Sequence, residues 1–159
     1  MTTQANDGMQ LIPPHGGTLV NGYAEKEQAQ ALREEAKSFP SIVINPRQLS
    51  DAHMIVQGAF SPLQGFMGYE DYNSVVKDMH LANGQPWPLP VTLAVDSHQA
   101  SELKEGKQVA LIRQGGEIAG VLSLEGKFRC EKDEEAQAVY LTTDNQHPGV
   151  ANMYRDGDV

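Results

Sequence analysis

The sequence has little cysteine and no long apolar run. Cys130 is the single cysteine among 159 residues, so no internal disulfide can form. A lone thiol is typical of a small buried hydrophobic group in a protein of a reducing compartment. No run approaches the roughly 18–20 apolar residues that a membrane helix needs, and residues 1–10 lack the basic and apolar regions of a signal peptide. We therefore expect a cytoplasmic protein with no membrane partner.

Positive charge is also scarce. Twelve Lys and Arg residues stand against 21 Asp and Glu residues, which gives a net charge of −9. Proteins that bind nucleic acids need a positive surface that displaces counterions from the phosphates. The charge balance therefore argues against a nucleic-acid partner.

The common motifs of nucleotide and metal sites are missing. Gly106-Lys107 and Gly126-Lys127 lack the following Ser or Thr, and the earlier glycine, of a phosphate-binding loop. No G-x-G-x-x-G or G-x-S-x-G pattern occurs. The histidines form neither H-x-x-H nor H-E-x-x-H, which argues against a zinc site; they are His15, His53, His80, His98 and His147.

Length and patterning predict one mixed domain with a proper core. A chain of this length buries roughly 70% of the surface that it exposes when unfolded, and 40% of its residues are hydrophobic. Apolar spacing and helix-stop residues predict three helices and a short strand in the first half, followed by an apolar loop that packs onto the core. The helices are Ala24–Ser38, Asp51–Gln57 (capped by Ser50, with Gly58 at its end) and Tyr69–Met79 with Met79 facing inward; the strand is Ser41–Asn45 and the loop Ala59–Met67.

The second half has the character of a sheet. Alternating apolar residues predict a strand at Leu89–Val95. Two further strands, Gln108–Arg113 and Glu117–Leu124, are joined by a tight turn at Gly115-Gly116. A helix follows at Asp133–Tyr140.

The end of the chain carries a turn signal. Asp156-Gly157 is typical of a hairpin turn, yet Val159 ends the sequence before a returning strand. This indicates a piece of a longer protein, with an ordinary frayed tail as the alternative.

Candidate functional residues each have a structural interpretation that is more common. For His53 a surface or capping role is favoured over general-base chemistry, and His147 either structures its loop or contacts a domain boundary. Trp87, between two prolines, is a binding platform or, more commonly, an aromatic ring that covers the edge of the core. The acidic runs Glu34-Glu35 and Glu131–Glu135 are interpreted as solvated faces. From spacing alone we predict no catalytic, cofactor-binding or metal-binding residue in this chain.

Seven short segments carry a family pattern in order. The most specific reads Gly-Ala-Phe-Ser-Pro-Leu-Gln-Gly-Phe-Met, at Gly58–Met67; the others are His15–Asn21, Leu49–Asp51, Tyr72–Val75, Leu81–Gly84, Trp87–Val91 and Thr142–Val150. Together they cover about residues 11 to 154, and they resemble the N-terminal domain of sulfate adenylyltransferase (ATP sulfurylase). One departure is Leu141, because the family often has glycine after the residue equivalent to Tyr140. This departure leaves the turn after Tyr140 without a prediction and does not change the resemblance.

The resemblance implies a fold and a reaction. The fold is α+β: a PUA-like small mixed β-barrel with flanking helices. In the family, a nucleotide-binding α/β domain follows and joins ATP to sulfate, with magnesium, to give adenosine 5′-phosphosulfate and pyrophosphate. Its Gln-Thr-Arg-Asn-Pro and H-x-x-H-type segments are absent here, since the single Asn-Pro, Asn45-Pro46, follows Ile44. No catalytic residue is therefore carried over, and no cofactor is expected in this segment.

The resemblance also implies a division of the chain and its partners. Residues 1–10 are expected to form a flexible tail, residues 11–150 the PUA-like domain, and residues 151–159 the start of a connection to a missing catalytic domain. The segment would have a structural and assembly role, would be inactive alone, and would belong to a homo-oligomer when full length. The alternative is a free-standing PUA-like module that binds RNA or a protein.

Overall fold

A computed structural model describes residues 11–159, and the tail expected at residues 1–10 lies outside them. Six α-helices flank a sheet of three strands in the described part of the chain. The helices are α1 (Lys26–Ala36), α2 (Pro46–Val56), α3 (Tyr69–Asp78), α4 (Ser97–Glu102), α5 (Lys132–Tyr140) and α6 (Pro148–Arg155); the strands are β1 (Ser41–Val43), β2 (Lys107–Ile112) and β3 (Ile118–Leu124), and a short 3-10 turn lies at His15–Gly17.

The sheet is open. Its order is β1-β2-β3, with β1 parallel to β2 and β2 antiparallel to β3. The predicted hairpin between β2 and β3 is confirmed: Gly116 has a φ of 87°, and the Arg113 N–H donates to the Glu117 carbonyl at 2.9 Å. The mixed α+β class is therefore confirmed. The expected barrel is not formed by residues 11–159, because three strands leave both edges of the sheet unclosed.

Helix α2 begins at Pro46 rather than at Asp51, so the predicted cap at Ser50 is wrong. The residue that caps the helix lies upstream, at Asn45. The Asn45 side chain accepts from the Gln48 N–H at 2.9 Å, and the Gln48 side chain accepts from the Asn45 N–H at 2.9 Å. This reciprocal capping box, with proline at the first helical position, fixes the start of a helix.

Helix α3 ends one residue before the prediction. Met79 was expected to face inward, but it is the C-cap of α3, with a φ of 52°, and 61% of it is exposed. Its left-handed backbone ends the helix and leaves the side chain in solvent, so the predicted inward position is wrong.

The segment 89–95 lies outside the sheet, and its predicted apolar face is buried only in part. Val91 and Val95 are buried, whereas Leu89 is exposed. The Met67 N–H donates to the Val91 carbonyl at 2.8 Å. The predicted strand is therefore an extended segment that is held by a loop and by the chain end.

The chain end forms a helix and a docked tail rather than a hairpin turn. Asp156 is the C-cap of α6, and beyond it Val159 exchanges two backbone hydrogen bonds with Val95, at 2.8 and 3.2 Å. A Cβ on Gly157 would overlap the backbone carbonyl of Val95. The Asp156-Gly157 pair thus serves close packing, and the predicted hairpin turn is wrong.

Two apolar clusters form the core. The first lies on the sheet around Val109 and Leu111, and the second packs α3 against the loop 59–67. Leu63 and Met67 are buried in the second cluster, which confirms that this loop packs onto the core. Among residues 11–159, no helix is both long and apolar enough to cross a membrane.

Leu141 adopts a conformation that suits glycine. It follows α5 as its C-cap with a φ of 58°, and 79% of the residue is exposed. A leucine in the left-handed region costs roughly 1–2 kcal/mol more than in a right-handed one. The turn after α5 is therefore a left-handed turn made by a leucine.

We expect Leu141→Gly to stabilise the protein by about 0.5–1.5 kcal/mol, because it relieves backbone strain and removes little packing. The measurement is the free energy of unfolding in urea. Leu11→Gly is the matched control, since Leu11 is 83% exposed and has no positive φ. A loss of stability in Leu141→Gly comparable to that in the control would contradict the strain.

We expect Gly157→Val to lower the free energy of unfolding by about 1–3 kcal/mol, because the new side chain collides with the Val95 backbone. Gly126→Ala is the control, since a Cβ there meets nothing within 4 Å; it should stay within about 0.5 kcal/mol of the parent. Equal denaturation midpoints for the two variants would show that Gly157 is not closely packed.

Candidate functional site

A cleft of about 580 Å³ lies within the described residues 11–159. Helices α2, α5 and α6 form one side, and the loop residues 59–61 and the segment 86–94 form the other. Its volume lies within the range of roughly 300–1,000 Å³ that is typical of ligand pockets. One end of the cleft is apolar and aromatic, and the other is charged.

Trp87 forms much of the apolar end. Its indole meets the Phe60 ring edge-on, with centroids 5.9 Å apart, and lies 6.1 Å from the His15 ring. His15 Nε2 lies 2.9 Å from the Pro86 carbonyl oxygen, which holds the imidazole at the rim. Trp87 packs on the second core cluster, so its interpretation as a ring at the edge of the core is confirmed. The same ring lines the cleft.

Asp156 organises the charged end. Its carboxylate accepts from the Arg47 guanidinium and, at 3.4 Å, from the Asn45 amide. Arg47 also lies 3.9 Å from Asp51, one turn along α2. About half of the Arg47 side chain is exposed, so water screens these pairs and each contributes at most about 1 kcal/mol. Their main effect is to hold the start of α2 against the end of α6.

Lys132 ties α5 to the end of α6. Its ammonium donates to the carbonyl of Asp156 at 2.5 Å and to that of Tyr154 at 3.5 Å. These carbonyls lie at the end of a helix, where few intrahelical donors reach them and a positive charge is favourable. Lys132 therefore acts as a cap supplied by a neighbouring helix.

Glu135 is the most unusual ionisable group of the cleft. Its carboxylate accepts from the Tyr72 hydroxyl at 2.8 Å, which links α5 to α3. Burial raises the pKa of Glu135 above its ordinary value, although the Tyr72 hydrogen bond and the charges of Arg47 and Lys132 oppose the rise. Burial likewise raises the pKa of the Cys130 thiol beside it.

Asp51 and Tyr72 are shifted in the same direction. Burial raises the pKa of Asp51 against the opposing charge of Arg47. Burial and the neighbouring Glu135 carboxylate raise the pKa of Tyr72. In each case burial is the largest cause, so the cleft at Asp51 and the packing around Tyr72 behind it both disfavour charge that is not paired.

The candidate functional residues considered in the sequence analysis do not come together in one site. His53 is exposed on α2 and does not line the cleft, and His147 is the exposed N-cap of α6, with its ring 5.1 Å from that of Tyr140. Glu34 is exposed and paired with Lys37 at 2.5 Å, as expected of a solvated face. The same interpretation is wrong for Glu135, which turns inward from the acidic run because it packs toward α3.

The sequence did not reveal the charged cluster. Its groups come from α2, α5 and the residue after α6, which are far apart in the chain. Locally, Arg47 and Asp51 show only the i, i+4 spacing of any surface ion pair. Within residues 11–159, no group of three or more His, Cys, Asp or Glu side chains lies where it could hold a metal ion.

Comparison with known proteins gives consistent matches. The PUA-like domain family model matches residues 12–159. A sulfate adenylyltransferase of Synechococcus sp. (strain JA-3-3Ab) is 55% identical over 148 residues, which are 93% of this chain and 38% of the relative. A sulfate adenylyltransferase of Trichodesmium erythraeum is 48% identical over 154 residues, which are 97% of this chain and 40% of the relative.

A solved structure shares the fold. The hexameric APS kinase from Thiobacillus denitrificans superposes with a TM-score of 0.68 at 34% identity, over 76% of this chain and 24% of that one. The chain spans about two fifths of the length of the two adenylyltransferases and matches their N-terminal part. These matches confirm the resemblance found in the sequence.

We expect the free energy of unfolding to fall as pH rises from the ordinary glutamate pKa through the raised pKa of Glu135. The folded state holds the Glu135 proton more tightly than the unfolded state, so stability is lost when that proton leaves. In Glu135→Gln this part of the pH dependence disappears, and at pH 7 the variant should be at least as stable as the parent. Urea unfolding between pH 4 and pH 8 measures both.

Glu135→Ala is the control for the hydrogen bond. It removes the acceptor of the Tyr72 hydroxyl and should cost about 1–3 kcal/mol. Asp51 also has a raised pKa and titrates in parent and variants alike, so the comparison cancels its contribution. An unchanged pH profile in Glu135→Gln would contradict a half-buried Glu135 carboxyl that retains its proton.

Proposed function

The chain belongs to the PUA-like domain family, and we propose that it is the N-terminal domain of a sulfate adenylyltransferase. The observation that carries the proposal is the 55% identity to the Synechococcus enzyme, which extends over 93% of this chain. The longer protein would convert ATP and sulfate into adenosine 5′-phosphosulfate and pyrophosphate. ATP and magnesium would bind to its other part.

The segment itself would support structure and assembly rather than chemistry. The charged groups of its cleft support this role, because they serve one another. Arg47 is engaged by Asp156, Lys132 caps α6, and Glu135 accepts from Tyr72. Groups that are committed to holding helices together leave few free donors for a reacting phosphate.

The longer protein would form a homo-oligomer in the cytoplasm. The structural neighbour is a hexamer by its title. Exposed apolar side chains at Leu11, Ile12 and Leu141 would suit contacts with another domain or subunit. The net charge of −9 weighs against RNA as the partner.

The test compares the 159-residue chain with the full-length protein that contains it. We expect the full-length protein to form ATP from adenosine 5′-phosphosulfate and pyrophosphate, and the chain alone to give only the background rate. Circular dichroism and a cooperative urea transition serve as controls that the chain is folded.

Two results would count against the proposal. ATP formation by the folded 159-residue chain would contradict the structural role. An inactive full-length protein that binds a structured RNA in a salt-dependent manner would contradict the enzyme and favour the free-standing module.

A further inference from the structure

The extended segment 91–95 has an edge that is occupied at both ends and open in the middle. At one end Val95 exchanges two backbone hydrogen bonds with Val159. At the other, the Val91 carbonyl accepts from the Met67 N–H at 2.8 Å, and the Val91 N–H lies 3.4 Å from the Met67 sulfur. Within residues 11–159, the N–H and C=O of Leu93 have no hydrogen-bond partner.

The side chains of this segment alternate as they do in a strand. Val91 and Val95 are buried and Leu93 packs against the first core cluster, whereas Thr92 and Ala94 are half-buried and line the cleft, whose lining Val91 also joins. In such a strand the backbone groups of alternate residues point to the same edge. Leu93 therefore presents its N–H and C=O between the two pairings, on the edge that Val95 and Val91 already use.

The pairing at Val95 fixes the direction and register of whatever fills this gap. Reciprocal bonds between Val95 and Val159 are those of a hydrogen-bonded antiparallel pair. The next such pair lies two residues along each strand, so Leu93 would face the second residue after Val159. The pairing cannot extend beyond Leu93 to Val91, because the Val91 carbonyl already accepts from the Met67 N–H.

We propose that residues directly following Val159 in the longer protein continue this antiparallel pairing by one hydrogen-bonded pair at Leu93, and then leave the edge at Met67. The inference rests on the proposed function, under which the polypeptide runs on past Val159. The relatives support it, because this chain covers only 38–40% of two of them.

The strand that pairs with Leu93 is the continuing chain rather than a second copy of the protein, because the continuing chain is already close to Leu93. Val159 is already in register beside Val95, so the next residues reach Leu93 with almost no loss of chain entropy. A strand from another molecule would pay the full cost of association for a single pair. The pair would also satisfy backbone groups that are otherwise an open edge.

The test is residue-resolved hydrogen exchange by mass spectrometry on the full-length protein, together with an assay of ATP formation on the same preparation. We expect the Leu93 amide to exchange at least about 100-fold more slowly than its intrinsic rate. Thr92 is the internal control, because its N–H points to the opposite edge and should stay much less protected than Leu93.

The outcomes separate this inference from the proposed function. An active enzyme whose Leu93 amide exchanges as fast as that of Thr92 would overturn the pairing and leave the function standing. A protected Leu93 in an inactive protein would support the pairing and contradict the function. Protection that falls on dilution would assign the edge to a second copy, and so overturn the proposal.

Discussion

The docking of the last residues against the middle of the chain is the contact on which the rest of the domain depends. Val159 pairs with Val95, and Asp156 binds Arg47 and Asn45 at the start of α2. Gly157 allows this approach, because any side chain there would meet the Val95 backbone. Through these few contacts α6, α2 and the extended segment are held as the walls of one cleft.

The same docking explains why the cleft tolerates so many ionisable groups. Lys132 reaches the carbonyls at the end of α6 only because that helix ends beside α5. Glu135, which burial penalises, is kept in place by the Tyr72 hydroxyl and by the nearby positive charges of Arg47 and Lys132. The charged end therefore stabilises one arrangement of helices, which is the property that a supporting domain needs.

Sequence patterns predicted what local chemistry determines. The β2–β3 hairpin and the packed loop 59–67 were both foreseen from short segments. Features that depend on residues distant in the sequence were not predicted. The segment 89–95 alternates like a strand but lies outside the sheet, and the cluster around Asp156 joins residues more than 100 positions apart. The start of α2 was missed for a local reason, since the Asn45–Gln48 capping box was present but outweighed by Ser50.

Removing Asp156–Val159 tests most directly whether the docked tail holds the domain together. Comparing urea unfolding of the shortened and parent chains, we predict a loss of at least about 2 kcal/mol in the free energy of unfolding. We also predict faster exchange of the Val95 amide, which would lose its acceptor on Val159. Unchanged stability with a still-protected Val95 amide would contradict the account, because α2, α6 and the extended segment would then be held by other contacts.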